Sequence, residues 1–253
     1  MYSNFTFITR SSFIILLFLF VSSCKNNNVY RNYDNQPHNQ KNCIFCQIDI
    51  ISKNKIYKET DSILIFKDIN TKPAVHILCI PKKHIKNLSE VSPSDAFLLG
   101  EMQVEIANIG REICPNGFRV VTNTGSDAHQ TVFHLHYHIL GGESICNLAE
   151  TGFSLGALLY KDVDMIVFLC NDPEFPVHII VEPTMNIDSL DTVDSSHTFL
   201  LGRIQMKISE LGKQYCSNGF RIVTNSGQDS HQVQPHKLRY HILGGKRLSR
   251  LAY

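Results

Sequence analysis

Short apolar runs rich in β-branched residues, bounded by Asn, Lys and Pro, recur along the chain. They are Ile63 to Phe66, His76 to Ile80, Phe118 to Thr122 and Phe133 to Leu140. Runs of this length and composition predict strands. The last two are separated by Thr124-Gly125-Ser126-Asp127, whose Gly and Asp suit a turn. Between the second and third runs, Phe97, Leu98, Met102, Ile106, Ile109 and Ile113 keep helical spacing and predict one buried helix face. Ahead of them, Ser92-Pro93-Ser94-Asp95 supplies a cap, a proline in the first turn and an acid at the positive end of the helix dipole. Hairpin-joined strands with one long helix predict an α+β fold built on an antiparallel sheet.

The pattern then returns. Phe97-Leu98-Leu99-Gly100 recurs as Phe199-Leu200-Leu201-Gly202, and Asn116-Gly117-Phe118-Arg119 as Asn218-Gly219-Phe220-Arg221. Val121-Thr122-Asn123 recurs as Val223-Thr224-Asn225, and Tyr137-His138-Ile139-Leu140-Gly141-Gly142 as Tyr240-His241-Ile242-Leu243-Gly244-Gly245. A spacing near one hundred residues fits one small domain per copy and exceeds the ~20–50 residues of a solenoid unit. The sequence reads as a tandem duplication, with one copy over 43–148 and a second over 149–253.

The N-terminus has a different character. Arg10 precedes an apolar run from Phe13 to Val21 that ends at Ser22 and Ser23. It falls short of the ~20 residues that span a bilayer, so no stable membrane span is expected, but it suits the core of a signal peptide. Residues 1–23 are therefore expected to be a targeting leader to the secretory pathway or an organelle lumen. A misassigned start, with a cytoplasmic protein, is the alternative. Residues 24–42 are polar and Asn-rich, and are expected to form a disordered linker.

Charge changes the picture by exclusion. With 24 Lys and Arg against 23 Asp and Glu, the net charge is +1. Nucleic-acid grooves need clustered cations to displace counterions, so a nucleic-acid partner is not expected. Of eight cysteines, Cys43 and Cys46 form a CxxC, and most of the others stand singly among apolar neighbours as reduced core cysteines do.

Histidines carry the chemistry. In His134-Leu135-His136-Tyr137-His138, strand alternation would put all three imidazoles on one face. Such a cluster is costly to bury without a partner, which implies a site, although solvated strands and metal-binding tracts also carry HxHxH.

The flanking motifs narrow this. Cys43-Ile44-Phe45-Cys46, Phe66-Lys67-Asp68-Ile69, His76 to His84, Asn123 to Asp127 and the triad running into Leu140-Gly141-Gly142 together resemble the histidine-triad family, specifically its Hint branch. The resemblance implies a HIT-like sheet present twice and a nucleotide hydrolase of the nucleoside 5'-phosphoramidase type. His136 would attack the α-phosphorus of a purine nucleotide and form a covalent nucleotidyl-histidine, which water then releases. His138 and His76 would assist, Asp68 would hold the ribose, Ile69 would meet the base, and Asn123 and Thr131 would bond the phosphate and leaving group. His129, where glycine is common, would reshape the leaving-group side. Cys43, Cys46, His84 and His134 would hold a structural zinc, with no catalytic metal; a redox CxxC or a disulfide is the competing reading. Dinucleoside polyphosphate hydrolysis, a nucleotide-binding regulatory module and a histidine metal buffer are the rival functions.

The second copy lacks most of this machinery. Arg239 stands opposite His136, Asn186 opposite His84, and the segment Asn171-Asp172 opposite Asp68. His178 and His241 remain as counterparts of His76 and His138, and Arg239 is a candidate phosphate contact. Hint relatives are homodimers, so copy two is expected to act as a built-in partner in an intramolecular pseudo-dimer. A homodimer of copy one is the alternative.

Overall fold

A computed structural model describes residues 43–47, 55–70 and 72–250. The expected leader over 1–23 and linker over 24–42 lie outside the described residues. The first half runs β1 (Ile56–Glu59), β2 (Ile63–Lys67), β3 (Val75–Pro81), α1 (Ala96–Ile113), β4 (Gly117–Gly125) and β5 (Tyr137–Gly141). The second half repeats that order as β6 (Ser154–Lys161), β7 (Met165–Asn171), β8 (Val177–Pro183), α2 (Thr198–Tyr215), β9 (Gly219–Gly227) and β10 (Tyr240–Gly244).

Two details depart from the sequence reading. The strand expected from Phe133 begins only at Tyr137. Upstream, the backbone is committed elsewhere: His134 N donates to Val132 O and Leu135 N to Ile85 O. Phe97 is not on the buried helix face. It is 48% exposed, with its ring 5.3 Å from that of its counterpart Phe199. The helix start is as expected, with Asp95 accepting from the Ser92 backbone in a capping box ahead of α1.

All ten strands join one antiparallel sheet, ordered β1-β2-β3-β5-β4-β9-β10-β8-β7-β6. The seam between halves is the β4–β9 ladder, which pairs Gly117 with Gly227 and Gly125 with Gly219 and is centred on Val121 opposite Val223. That register relates the halves by an approximate two-fold. Both helices pack in a single apolar core over one sheet face, which includes Ile65, Ile77, Ile139, Ile179, Ile222 and Ile242. The helices approach backbone to backbone. A Cβ on Gly100 would lie 2.0 Å from Thr198 O, and one on Gly202 2.1 Å from Ala96 O, so only glycine fits. Tyr137 Oη donates to Gln205 Oε1 at 2.9 Å, and Tyr240 Oη to Gln103 Oε1 at 3.2 Å, tying each half's last strand to the other's helix. The pseudo-dimer is thus built within one chain, through a shared sheet and a shared core. No helix among the described residues is long and apolar enough to cross a membrane.

Candidate active site and metal centre

On the sheet face away from the helices, the even-numbered residues of β3 and β5 carry the chemistry. His76, Leu78 and Ile80 share that face with His138, which sits opposite Leu78 in the ladder. Phe45, Leu64, Phe66, Leu78 and Ile80 form an apolar floor. Phe45 packs edge-on to His136 with centroids 5.6 Å apart, and to His134 at 5.9 Å.

His136 is buried, and its Nδ1 donates to the His134 carbonyl at 2.7 Å. That bond fixes the tautomer and leaves the lone pair on Nε2. Burial, opposed by the His134 carbonyl and Asp68, holds the His136 pKa below the ordinary range. His138 lies beside it with ring centroids 4.9 Å apart. Burial, with His136 and His76 adding to it, pushes the His138 pKa well down. His138 Nδ1 and His76 Nε2 are 2.9 Å apart, while His76 Nδ1 donates to Lys72 O at 3.0 Å. Neutral imidazoles in this row pass their orientation along from a backbone carbonyl.

Asp68 Oδ2 lies 3.1 Å from His76 Nε2, and its Oδ1 accepts from Asn70 N at 2.8 Å. Ile69 is 90% exposed at the tip of the β2–β3 turn. Asn123 is buried on β4, and Thr131 is exposed in the loop before the triad. Among the described residues, Asn123 Nδ2 and the Thr131 N–H make no hydrogen bond within the protein. His129, expected to reshape the leaving-group side, is tied away to the second half. Its Nε2 donates to Leu248 O at 2.7 Å, from a backbone at φ 57°, and so ties the loop to the second half.

The metal-ligand set also comes together. Cys43 Sγ, Cys46 Sγ and one nitrogen each of His84 and His134 all lie within 4.8 Å of one another. Cys46 Sγ is 3.2 Å from His84 Nδ1 and 3.5 Å from His134 Nδ1, and Cys43 Sγ is 3.4 Å from His134 Nδ1. A tetrahedron with Zn–S of ~2.3 Å and Zn–N of ~2.0 Å has S···N edges of ~3.5 Å. His134 Nε2 donates to Pro81 O at 2.8 Å, which turns its Nδ1 lone pair toward the sulfurs, as a ligating histidine requires. Two sulfurs and two imidazoles therefore fit Zn²⁺, with no position left open for chemistry. A second cluster, Asp68, His76 and His138, has one carboxylate and two imidazoles already engaged with one another.

In the second half the ladder corrects one alignment. β7 pairs Leu169 with Ile179 as β2 pairs Lys67 with Ile77, so Cys170, not Asn171-Asp172, stands at the position of Asp68. Arg239 Nε donates to Glu182 Oε1 at 2.8 Å, so one edge of its guanidinium is engaged within the second half.

Sequence reasoning passed over Arg119 and Arg221, which are buried in the seam strands. Their signal was a charged residue inside the apolar repeats Gly117-Phe118-Arg119-Val120 and Gly219-Phe220-Arg221-Ile222. Arg221 Nε donates to Asn123 Oδ1 at 2.7 Å, and Arg119 Nε to Asn225 Oδ1 at 2.6 Å. Each half thus orients the other's asparagine.

Comparison with known proteins agrees with this geometry. Residues 42–151 match the family model described as scavenger mRNA decapping enzyme C-term binding, and residues 155–248 match the HIT domain. Protein HitA of Neisseria gonorrhoeae is 39% identical over 103 residues, which are 40% of this chain and 95% of that protein. The chain belongs to the HIT family. Another HIT relative, an uncharacterized HIT-like protein of Synechocystis sp., is 44% identical over 88 residues, covering 34% of this chain and 77% of its own length. Among solved structures, a galt-like protein from Arabidopsis thaliana shares the fold across both halves, with a TM-score of 0.59, 14% identity and 83% of each chain covered. The HIT repeat of strands and helix is thus present on both sides of the seam.

Proposed function

We propose that the first half is a nucleotide hydrolase of the phosphoramidase type, acting through a nucleotidyl-histidine on His136. The observation that carries it is the 2.7 Å bond from His136 Nδ1 to the His134 carbonyl, which leaves the Nε2 lone pair free for nucleophilic attack. The Nε2 lone pair attacks the α-phosphorus of a nucleoside phosphoramidate, the P–N bond breaks, and the amine leaves with a proton drawn from solvent, which the attacking water of the second step returns. Water then attacks the same phosphorus, the N–P bond to His136 breaks, and the nucleoside monophosphate departs. Asn123 Nδ2 and the Thr131 N–H supply donors for the phosphate oxygens, whose charge grows in the transition state, and His138 stands beside His136 to accept a proton on Nε2. Asp68 and Ile69 border the ribose and base. Zinc at Cys43, Cys46, His84 and His134 would fix the segment carrying Phe45 against the triad, a structural contribution alone.

Incubating the full chain with nucleoside phosphoramidates, dinucleoside polyphosphates and capped dinucleotides tests this reading. The last class belongs in the panel because the first half matches the decapping-enzyme model. Preferential release of amine from phosphoramidates supports the proposal; faster cleavage of either dinucleotide class replaces it.

A further inference from the structure

Glu150 lies between the halves and is 5% exposed. Its Oε1 accepts from Asn225 Nδ2 at 2.9 Å, and its Oε2 from the Val233 N–H at 3.3 Å. His241 Nε2 is 3.6 Å from Oε1, and that fully buried nitrogen has no hydrogen-bond partner within the protein. The two donors and this nitrogen correspond one for one to Asn123 Nδ2, the Thr131 N–H and His138 Nε2 in the first half. They are also held from behind. Arg119 Nε occupies Asn225 Oδ1, so the amide presents Nδ2 to the carboxylate. His241 Nδ1 is 2.9 Å from His178 Nε2, and His178 Nδ1 is 2.6 Å from Asp172 Oδ2. Three residues beyond Glu150, Phe153 lays its ring against His178 with centroids 4.6 Å apart. An open groove lined by Cys170, Asn171, Asp172 and Phe175 runs alongside.

Donors arranged this way take an anion, and a carboxylate buried without them would be costly. We propose that the second half retains a binding site for a phosphate monoester, and that Glu150 occupies it as a tethered ligand that keeps nucleotide out. Phosphate and carboxylate offer the same oxygens to the same donors, so the linker competes with free nucleotide at the effective concentration of a tethered group. With Arg239 in place of the nucleophile, the site would bind without turning over. The inference leans on the phosphate role proposed for the first half only through the matching geometry.

Titration of the full chain with adenosine monophosphate by calorimetry tests it. The parent protein is expected to bind one equivalent and Glu150→Ala two, with the second lost again when Asn225→Ala is added. Glu150→Gln keeps the shape and the Asn225 contact but drops the charge, and should show the second site at about tenfold weaker affinity than Glu150→Ala. Folded Glu150→Ala and Glu150→Gln proteins that both stop at one equivalent overturn the proposal, as does a second equivalent that survives Asn225→Ala. If Glu150→Ala does not fold, a single equivalent in Glu150→Gln overturns it alone. A parent that binds none beside a Glu150→Ala protein that binds one through Asn225 would refute the first-half reading and leave this one standing.

Discussion

Arg221 of the second half donates its Nε to Oδ1 of Asn123 in the first half across 2.7 Å of buried space. The remaining guanidinium contacts go to carbonyls, with Nη2 2.9 Å from Ser249 O. Burial lowers the Arg221 pKa to about 10, still far above neutrality, so the charge persists. Asn123 is thereby locked with Nδ2 toward the proposed phosphate site. Arg221→Met is expected to lower kcat by about 10–100-fold, the usual cost of losing an orienting partner. Arg119→Met, which loosens Asn225 instead, should leave turnover near the parental rate. Steady-state kinetics on the two variants, with circular dichroism to confirm folding, makes the comparison.

His136→Ala should reduce kcat by at least about a thousandfold while nucleotide affinity changes only a few-fold, because the nucleophile acts in the transition state and the floor and turn hold the ground state. His138→Ala should cost about a hundredfold. Single-turnover assays beside binding titrations separate the two effects. Parental turnover in His136→Ala would remove the histidine intermediate from the mechanism.

Purified protein should carry one zinc per chain. Cys46→Ser should release it and lower Tm by about 10 °C, since on a chain of this size ~1 kcal/mol shifts Tm by roughly 2–4 °C. Metal analysis and calorimetry check both. Zinc-free protein with Cys43 and Cys46 joined in a disulfide would replace the metal site with a redox pair.

Acid should weaken the fold from the second half. Burial, with His241 adding to it and Asp172 opposing, lowers the His178 pKa to about 4. An unfolded histidine binds its proton near pH 6.5, so between those values the unfolded state holds more protons and stability rises with pH. The contribution is complete above about pH 6.5 and lost on descent toward pH 4, on the order of 3 kcal/mol in all. Urea midpoints measured from pH 7.5 to 4.5 should fall accordingly, and a flat series would contradict a neutral buried His178.

Much of this was legible in the sequence because it follows local periodicity. Short β-branched apolar runs marked β2, β3 and β4 within a few residues, and Ser92-Pro93-Ser94-Asp95 marked the start of α1. The set Cys43, Cys46, His84 and His134 could be gathered only through the family motifs, since the two thiolates lie far in sequence from their imidazole partners. Three features escaped because they depend on tertiary placement. Phe133–His136 reads as strand, but its amides bond to Val132 and Ile85. His129 reads as a local change in its loop, yet its partner, Leu248, is 119 residues away. Glu150 sits in a linker that no periodicity marks, and only the folded seam brings Asn225 and His241 to it.

The β4–β9 ladder also changes what a substitution can do. In a symmetric dimer of identical subunits, every change is written on both sides of the interface, and the pairing depends on concentration. Here each side of the seam has its own codons, and the partners cannot be diluted apart. Arg119 and Arg221 hold corresponding places across the seam, yet each is free to vary alone. One half can carry Arg239 where the other carries His136, and Glu150 against Asn225, without touching the other's pocket. Covalent fusion therefore gives the chain an asymmetry that no homodimer of the same fold can hold.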